Sequence, residues 1–214
     1  MILYTIHGNG YQDISELASL EDVTVYVNLT NRCPCACTFC LRQTKEMEEG
    51  HSLWLKEEPT VEDVIKEFQK YDLDDFHEVV FCGFGEPLER VEDVIQIAGI
   101  LKHFRRDLPI RVNTNGLACL IHQRDVTPEF KGRIDTVSIS LNSSTAQKYL
   151  DVTRNRFGLA SYDAMLSFAK ACQRYVPNVV MTVVDVIGAE EVAACQKVCD
   201  THGLQLRVRP YEAN

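Results

Sequence analysis

The stretch Val23-Thr24-Val25-Tyr26-Val27-Asn28-Leu29-Thr30-Asn31-Arg32-Cys33-Pro34-Cys35-Ala36-Cys37-Thr38-Phe39-Cys40 couples an apolar, β-branched run to four cysteines packed into eight residues. The run from Val23 to Thr30 has the composition of a strand. The cysteines follow it as a loop of soft thiolate donors, the ligand type that selects zinc or iron–sulfur clusters. Cys37 and Cys40 form one Cys-x2-Cys pair, half of a tetrahedral zinc site. The second half is missing, because Cys82, Cys119, Cys172, Cys195 and Cys199 contain no such pair; a zinc ribbon is therefore disfavoured. Cys33-x3-Cys37-x2-Cys40 offers three thiolates on one tight loop, enough to hold three corners of a cubane and leave its fourth iron open. Cys35 lies outside that spacing and reads as a small loop residue, with an alternate ligand as the sharper reading.

Composition bounds the rest. With 214 residues, 45% of them hydrophobic, the chain can bury one good core and is short for two. A single domain over residues 1–214 is expected, with 1–22 as an N-terminal extension and 23–214 as the core. No apolar stretch approaches the ~20 residues of a membrane span, and the first residues lack the basic start of a secretory signal, which predicts a cytoplasmic protein without membrane partners. Nine cysteines in a reducing compartment point to metal or redox chemistry rather than a disulfide frame. A net charge of −9 argues against a nonspecific nucleic-acid binder while leaving room for a local basic pocket.

Strand signals alternate with helix-length segments. Val23 to Thr30, Glu78 to Cys82, Ile110 to Thr114, Thr136 to Leu141, Val179 to Val186 and Leu204 to Val208 are rich in Val, Ile or aromatics. Thr60 to Lys70, Val91 to Arg105, Ser161 to Tyr175 and Ala189 to His202 carry apolar residues at helical spacing, Thr60 with Asp63 predicts a capping box, and Gly203 a helix stop. This β–α alternation predicts an α/β fold with a parallel sheet and outer helices, a partial (β/α)6 TIM-like barrel. Chemistry in such folds collects at the strand C-terminal ends, where the cysteine loop falls.

Other polar residues cluster at the same expected mouth. Cys82-Gly83-Phe84-Gly85-Glu86-Pro87 is a turn whose glycines allow close backbone approach and whose Glu86 supplies a carboxylate; its bland reading is a tight turn before a helix. Asn113-Thr114-Asn115-Gly116 and Ser138-Ile139-Ser140-Leu141-Asn142 end the next strands in amides and hydroxyls, residues that elsewhere only cap or turn the chain. Arg207 and Arg209 alternate on the last strand and so share a face. They would meet an anionic substrate group, the carboxylate of a cofactor, or a neighbouring acidic residue. Cys195 and Cys199 are one helical turn apart and could share a face as a metal pair.

These motifs together resemble the radical S-adenosylmethionine (radical SAM) superfamily over most of the chain. Cys33, Cys37, Phe39 and Cys40 match its Cys-x3-Cys-x-aromatic-Cys pattern. The resemblance implies a 4Fe–4S cluster on Cys33, Cys37 and Cys40, with SAM chelating the fourth iron and Phe39 near the adenine. Phe84-Gly85-Glu86-Pro87 resembles the family's Gly-Gly-Glu-Pro motif, with Phe84 in place of the first glycine; Gly85 and Glu86 would then meet the SAM amino group. Ser140 and Asn142 correspond to the strand end that meets ribose and carboxylate, with Asn113 and Asn115 as further contributors. Val184-x-Val186-x-Gly188-x-x-Glu191 resembles a degenerate adenine motif that lacks its first glycine, and brings in Gly188. The string Asn28 to Cys40 is most similar to the TatD-associated radical SAM proteins, which implies a link to a TatD-type nuclease.

The activity implied is reductive cleavage of SAM to a deoxyadenosyl radical acting on a substrate that the sequence does not name, with flavodoxin or ferredoxin as electron donor. A noncatalytic Fe–S or zinc redox module is the alternative from another class. A glycyl-radical activase is the alternative within the enzymes.

Overall fold

The computed structural model describes residues 1–8, 10–44 and 52–210. One eight-stranded sheet organises them, in the order β2-β1-β3-β4-β5-β6-β7-β8. A hairpin of β1 (Leu3–His7) and β2 (Gly10–Asp13) pairs antiparallel with β3 (Val23–Val27). From β3 the sheet runs parallel through β4 (Phe76–Phe81), β5 (Ile110–Thr114), β6 (Thr136–Ser140), β7 (Asn178–Val184) and β8 (Gln205–Arg209). The six expected strands are the six parallel ones. Residues expected as an extension add two more strands to the same sheet.

Alternation along each strand sorts the side chains. Val25, Val27, Val79, Phe81, Val112, Ile139, Met181 and Val183 point to the helices and are fully buried. The opposite, inner face is polar. The register places Tyr26, Val80, Arg111, Thr136 and Asn178 on one rung of it. Nearer the strand C-termini come Asn113, Ser138, Val180 and Gln205, then Ser140, Thr182 and Arg207, and finally Val184 with Arg209.

The helices are α1 (Leu41–Thr44), α2 (Val61–Phe68), α3 (Val91–Phe104), α4 (Ala118–His122), α5 (Ala146–Thr153), α6 (Ala160–Cys172) and α7 (Ala189–His202). The α2 N-terminus carries the expected capping box, with Asp63 N donating to Thr60 Oγ1 at 3.1 Å and Thr60 N to Asp63 Oδ2 at 2.9 Å. Gly203 ends α7 at φ 64°, the left-handed conformation that glycine adopts without a Cβ clash. Helices α1, α4 and α5 were not expected, being too short for an apolar period to declare itself. Cys195 and Cys199 do share a face of α7, but both are fully buried in the apolar core and act there as packing residues.

Candidate functional site at the strand C-terminal ends

The residues preceding the cysteines hold the loop in place. Asn28 Nδ2 donates to the carbonyl of Leu53 at 2.6 Å, Asn31 Nδ2 to that of Leu55 at 2.7 Å, and Arg32 pairs with Glu58 at 3.1 Å. Thr30 Oγ1 also donates to Glu58. Arg90 reaches over from α3 and donates to the carbonyls of Leu29 (2.8 Å) and Pro59 (2.7 Å). The string read as a family signature is therefore the frame of the loop.

A second frame comes from α5. Ala36 N donates to the carbonyl of Thr153 at 2.9 Å, Thr38 N to that of Val152 at 3.0 Å, and Arg156 N to that of Pro34 at 3.1 Å. The orphan carbonyls that every helix C-terminus presents are here spent on the cysteine loop. Tyr149 of the same helix is fully buried, its hydroxyl lacks a partner among the described residues, and the thiols of Cys35 and Cys37 lie in its electrostatic neighbourhood.

All four loop cysteines are half-buried, and none is in a disulfide. The mutual interaction of the three neighbouring sulfurs lowers the pKa of Cys33 and Cys37 and raises that of Cys35. Asn115 Nδ2 also reaches the Cys35 sulfur, at 3.7 Å. Burial raises Cys40. Among the described residues no three His, Cys, Asp or Glu side chains converge as a single-ion site.

Glu86 stands next to this loop, 4% exposed. Its carboxylate accepts from Thr114 Oγ1 (2.7 Å), Asn115 N (2.7 Å) and Leu88 N (3.1 Å), and its own amide donates to the carbonyl of Arg32 at 2.8 Å. Burial raises it to about 7 despite those three donors. Gly85 is required here: a Cβ would lie 2.2 Å from the carbonyl oxygen of Thr30 and 2.7 Å from that of Arg32. Phe84, the departure from the family motif, points elsewhere. It is buried with Tyr4, Tyr11 and Leu53 in a small cluster built on the β1–β2 hairpin, and Trp54 meets its ring at 5.2 Å.

Of the remaining expected site residues, Asn115 joins the Glu86 network, while Asn113 sits on the inner face with a buried, unpartnered Oδ1. Ser140 ends β6, and Asn142 follows at φ 61°, 5% exposed. Phe39 is half-buried on the cysteine loop. Gly188 is exposed at φ 84° where α7 begins. Glu191, its motif partner, braces the turn after β6: it accepts from Ser144 N at 2.7 Å and pairs with Lys148. Burial would raise its carboxyl, but Lys148 and Ser144 outweigh that and hold it at about 2. Thr114 and Tyr149 were not anticipated, since a threonine in a strand and an aromatic in a short helix both read as structure. Ser143-Ser144-Thr145, a run of helix-capping residues, was the available sign of α5.

Residues 27–196 match the model of the radical SAM superfamily. The chain belongs to the radical SAM superfamily. Radical SAM proteins use a 4Fe–4S cluster with S-adenosylmethionine, and the donors present fit that pair: three thiols on one loop, two of them with lowered pKa, beside a buried carboxylate suited to an ammonium. Two relatives named GTP 3',8-cyclase, from two strains of Corynebacterium glutamicum, are each 28% identical over 85% of this chain and 47% of their own length. The chain thus spans about half the length of these relatives. Among solved structures, Streptococcus suis SuiB bound to precursor peptide SuiA superposes with a TM-score of 0.63 at 15% identity, covering 90% of this chain and 39% of that one. A radical SAM methyltransferase from Sphaerobacter thermophilus gives 0.55 at 14% identity, covering 88% and 66%. Both likenesses are of fold. No helix among the described residues is long and apolar enough to cross a membrane.

Proposed function

We propose that this protein cleaves S-adenosylmethionine reductively, with Cys33, Cys37 and Cys40 holding a 4Fe–4S cluster and Glu86 holding the SAM amino group. When bound, cluster and SAM supply one-electron cleavage of the sulfonium to methionine and a deoxyadenosyl radical that abstracts hydrogen from substrate. The observation that carries the reading is the juxtaposition of a three-thiol loop with a buried carboxylate at the C-terminal mouth of a parallel sheet.

The chain's own residues do positional work. Cys33, Cys37 and Cys40 would bind the cluster as thiolates, and the neighbouring Cys35 lowers the pKa of Cys33 and Cys37 toward that form. Thr114 and the Asn115 amide fix the Glu86 carboxylate, and an incoming ammonium completes its shell while drawing its proton off. Ser140, Asn142, Asn113 and Asn115 line the approach on the inner face and serve the ribose and carboxylate; Phe39 covers the adenine. Gly188 keeps only the sequence likeness as support. Cys35 stays outside the ligand set, beside Cys33 and Cys37.

The string Asn28 to Cys40 supports placement among the TatD-associated proteins and with it a link to a TatD-type nuclease; the chain's length supports a single domain, the lack of a long apolar stretch a cytoplasmic location, and the reductive chemistry a flavodoxin or ferredoxin as electron donor. The GTP cyclase name is not carried over to the substrate. Anaerobic reconstitution tests the core of the reading: about four iron and four sulfide per chain, deoxyadenosine on reduction with SAM, and loss of both in Cys37→Ala. Zinc uptake alone, with no SAM cleavage, would sink it.

A further inference from the structure

We propose that Arg207 and Arg209 form an anion-binding subsite on the inner face of β8, so that the substrate is a small molecule carrying a carboxylate or phosphate; this rests on the function proposed above. The register sets both guanidinium-bearing residues on the polar face, Arg207 beside Thr182 and Arg209 beside Val184. Thr182 in turn adjoins Ser140, so the rung runs from Arg207 straight to the SAM-facing strand end.

Neither arginine has an acidic partner among the described residues. The contrast with other arginines is sharp: Arg90, Arg111 and Arg124 each meet a carboxylate at 2.7 Å or closer. Arg209 Nε is moreover buried without a partner among the described residues. Buried donors are nearly always hydrogen-bonded, so one left open on a site-facing wall marks a place that a ligand completes. Asn113 Oδ1 and Arg111 Nε, on the same face, share that condition. In a chain of net charge −9, two guanidinia on one wall, Arg207 exposed and Arg209 half-buried, with no acidic partner among the described residues, are a local attractor for anions. Strand spacing sets the scale: β8 to β6 is two steps, about 10 Å, the length of a small molecule whose anionic end rests on β8 and whose carbon skeleton extends toward Ser140.

The test is anaerobic calorimetry on the reconstituted protein saturated with SAM, titrated with inorganic pyrophosphate and, separately, with succinate. Wild type is expected to bind at least one, and the one bound identifies phosphate or carboxylate as the preferred group. The Arg207→Gln/Arg209→Gln double variant is expected to lose that affinity at least tenfold with SAM affinity unchanged. Arg106→Gln, an exposed arginine in the turn between α3 and β5, should leave it intact. The proposal is overturned if wild type binds neither anion, if the double variant binds as well as wild type, if Arg106→Gln weakens binding equally, or if SAM affinity falls in parallel, since the pair would then hold the SAM carboxylate. Deoxyadenosine formation without substrate, measured on the same samples, separates the two readings: its absence in wild type breaks the proposed function, whereas the anion titration breaks only the subsite.

Discussion

Around the cysteine loop the candidate site is densely hydrogen-bonded: Glu86 meets three donors, Asn31 the backbone of Leu55, and the loop amides the end of α5, while Asn28 Oδ1 and Asn113 Oδ1 are left without partners among the described residues. Over β7 and β8, on the same inner face, Arg207 and Arg209 stand without acidic partners among the described residues and the last strand is half open to solvent. The difference teaches where precision is needed. A cofactor that must be placed to a fraction of an ångström requires a frame that is already formed. A wall that receives a ligand keeps its bonding capacity in reserve.

Breaking the framed side should cost most. Cys33→Ala, Cys37→Ala and Cys40→Ala are each expected to abolish cluster incorporation and lower deoxyadenosine formation on the order of 100-fold or more, whereas Cys35→Ala retains about four irons; iron assay and electron paramagnetic resonance read both. A Cys35→Ala variant without a cluster would erase the distinction drawn between ligand and neighbour. Gly85→Ala drives a methyl into the backbone of Thr30 and Arg32 and should destabilise the fold by on the order of 3 kcal/mol in urea denaturation.

Glu86→Gln comes next, weakening SAM binding by on the order of tenfold or more, the worth of a charge-assisted bond. Its pH dependence sharpens the comparison. The Glu86 pKa is raised from 4.5 to about 7 by burial, so the SAM-free fold binds that proton more tightly than the unfolded chain. This stabilising effect is complete below 4.5 and is lost as pH rises through about 7, up to about 3 kcal/mol in all. Glu86→Gln should flatten that loss. SAM affinity should instead rise through the same window in wild type, because the ammonium needs the ionised carboxylate.

Smaller effects complete the series. Tyr149→Phe removes a buried hydroxyl that has no partner and should leave stability unchanged or raise it by about 1 kcal/mol. On the open side, Arg207→Gln and Arg209→Gln should shift stability by no more than ~0.5 kcal/mol; a larger loss would mean that β8 is framed after all.

The fold was legible because each parallel strand is a dense β-branched run between helical periods, as in Ile110 to Thr114 or Val179 to Val184. The β1–β2 hairpin was not, since Tyr4, Thr5 and Tyr11 pair through a short turn with no apolar alternation long enough to announce a strand. The thiols and Glu86 were legible as motifs with fixed spacing. Thr114 as a donor to Glu86, and α5 as a support for the loop, depend on tertiary contacts between distant segments that no local pattern encodes. Phe84 shows the same limit: in sequence it departs from a glycine motif, and in space it fills the cluster beneath the hairpin.

The attachment of Val152, Thr153 and Arg156 to residues 34–38 has a consequence for biogenesis. The cysteines leave the ribosome early, but the segment that shapes their loop is made much later. Until it docks, the thiols hang on a chain whose support is incomplete, able to capture a wrong metal or to oxidise. The loop therefore reaches its final shape only once the chain through Arg156 has been made and docked.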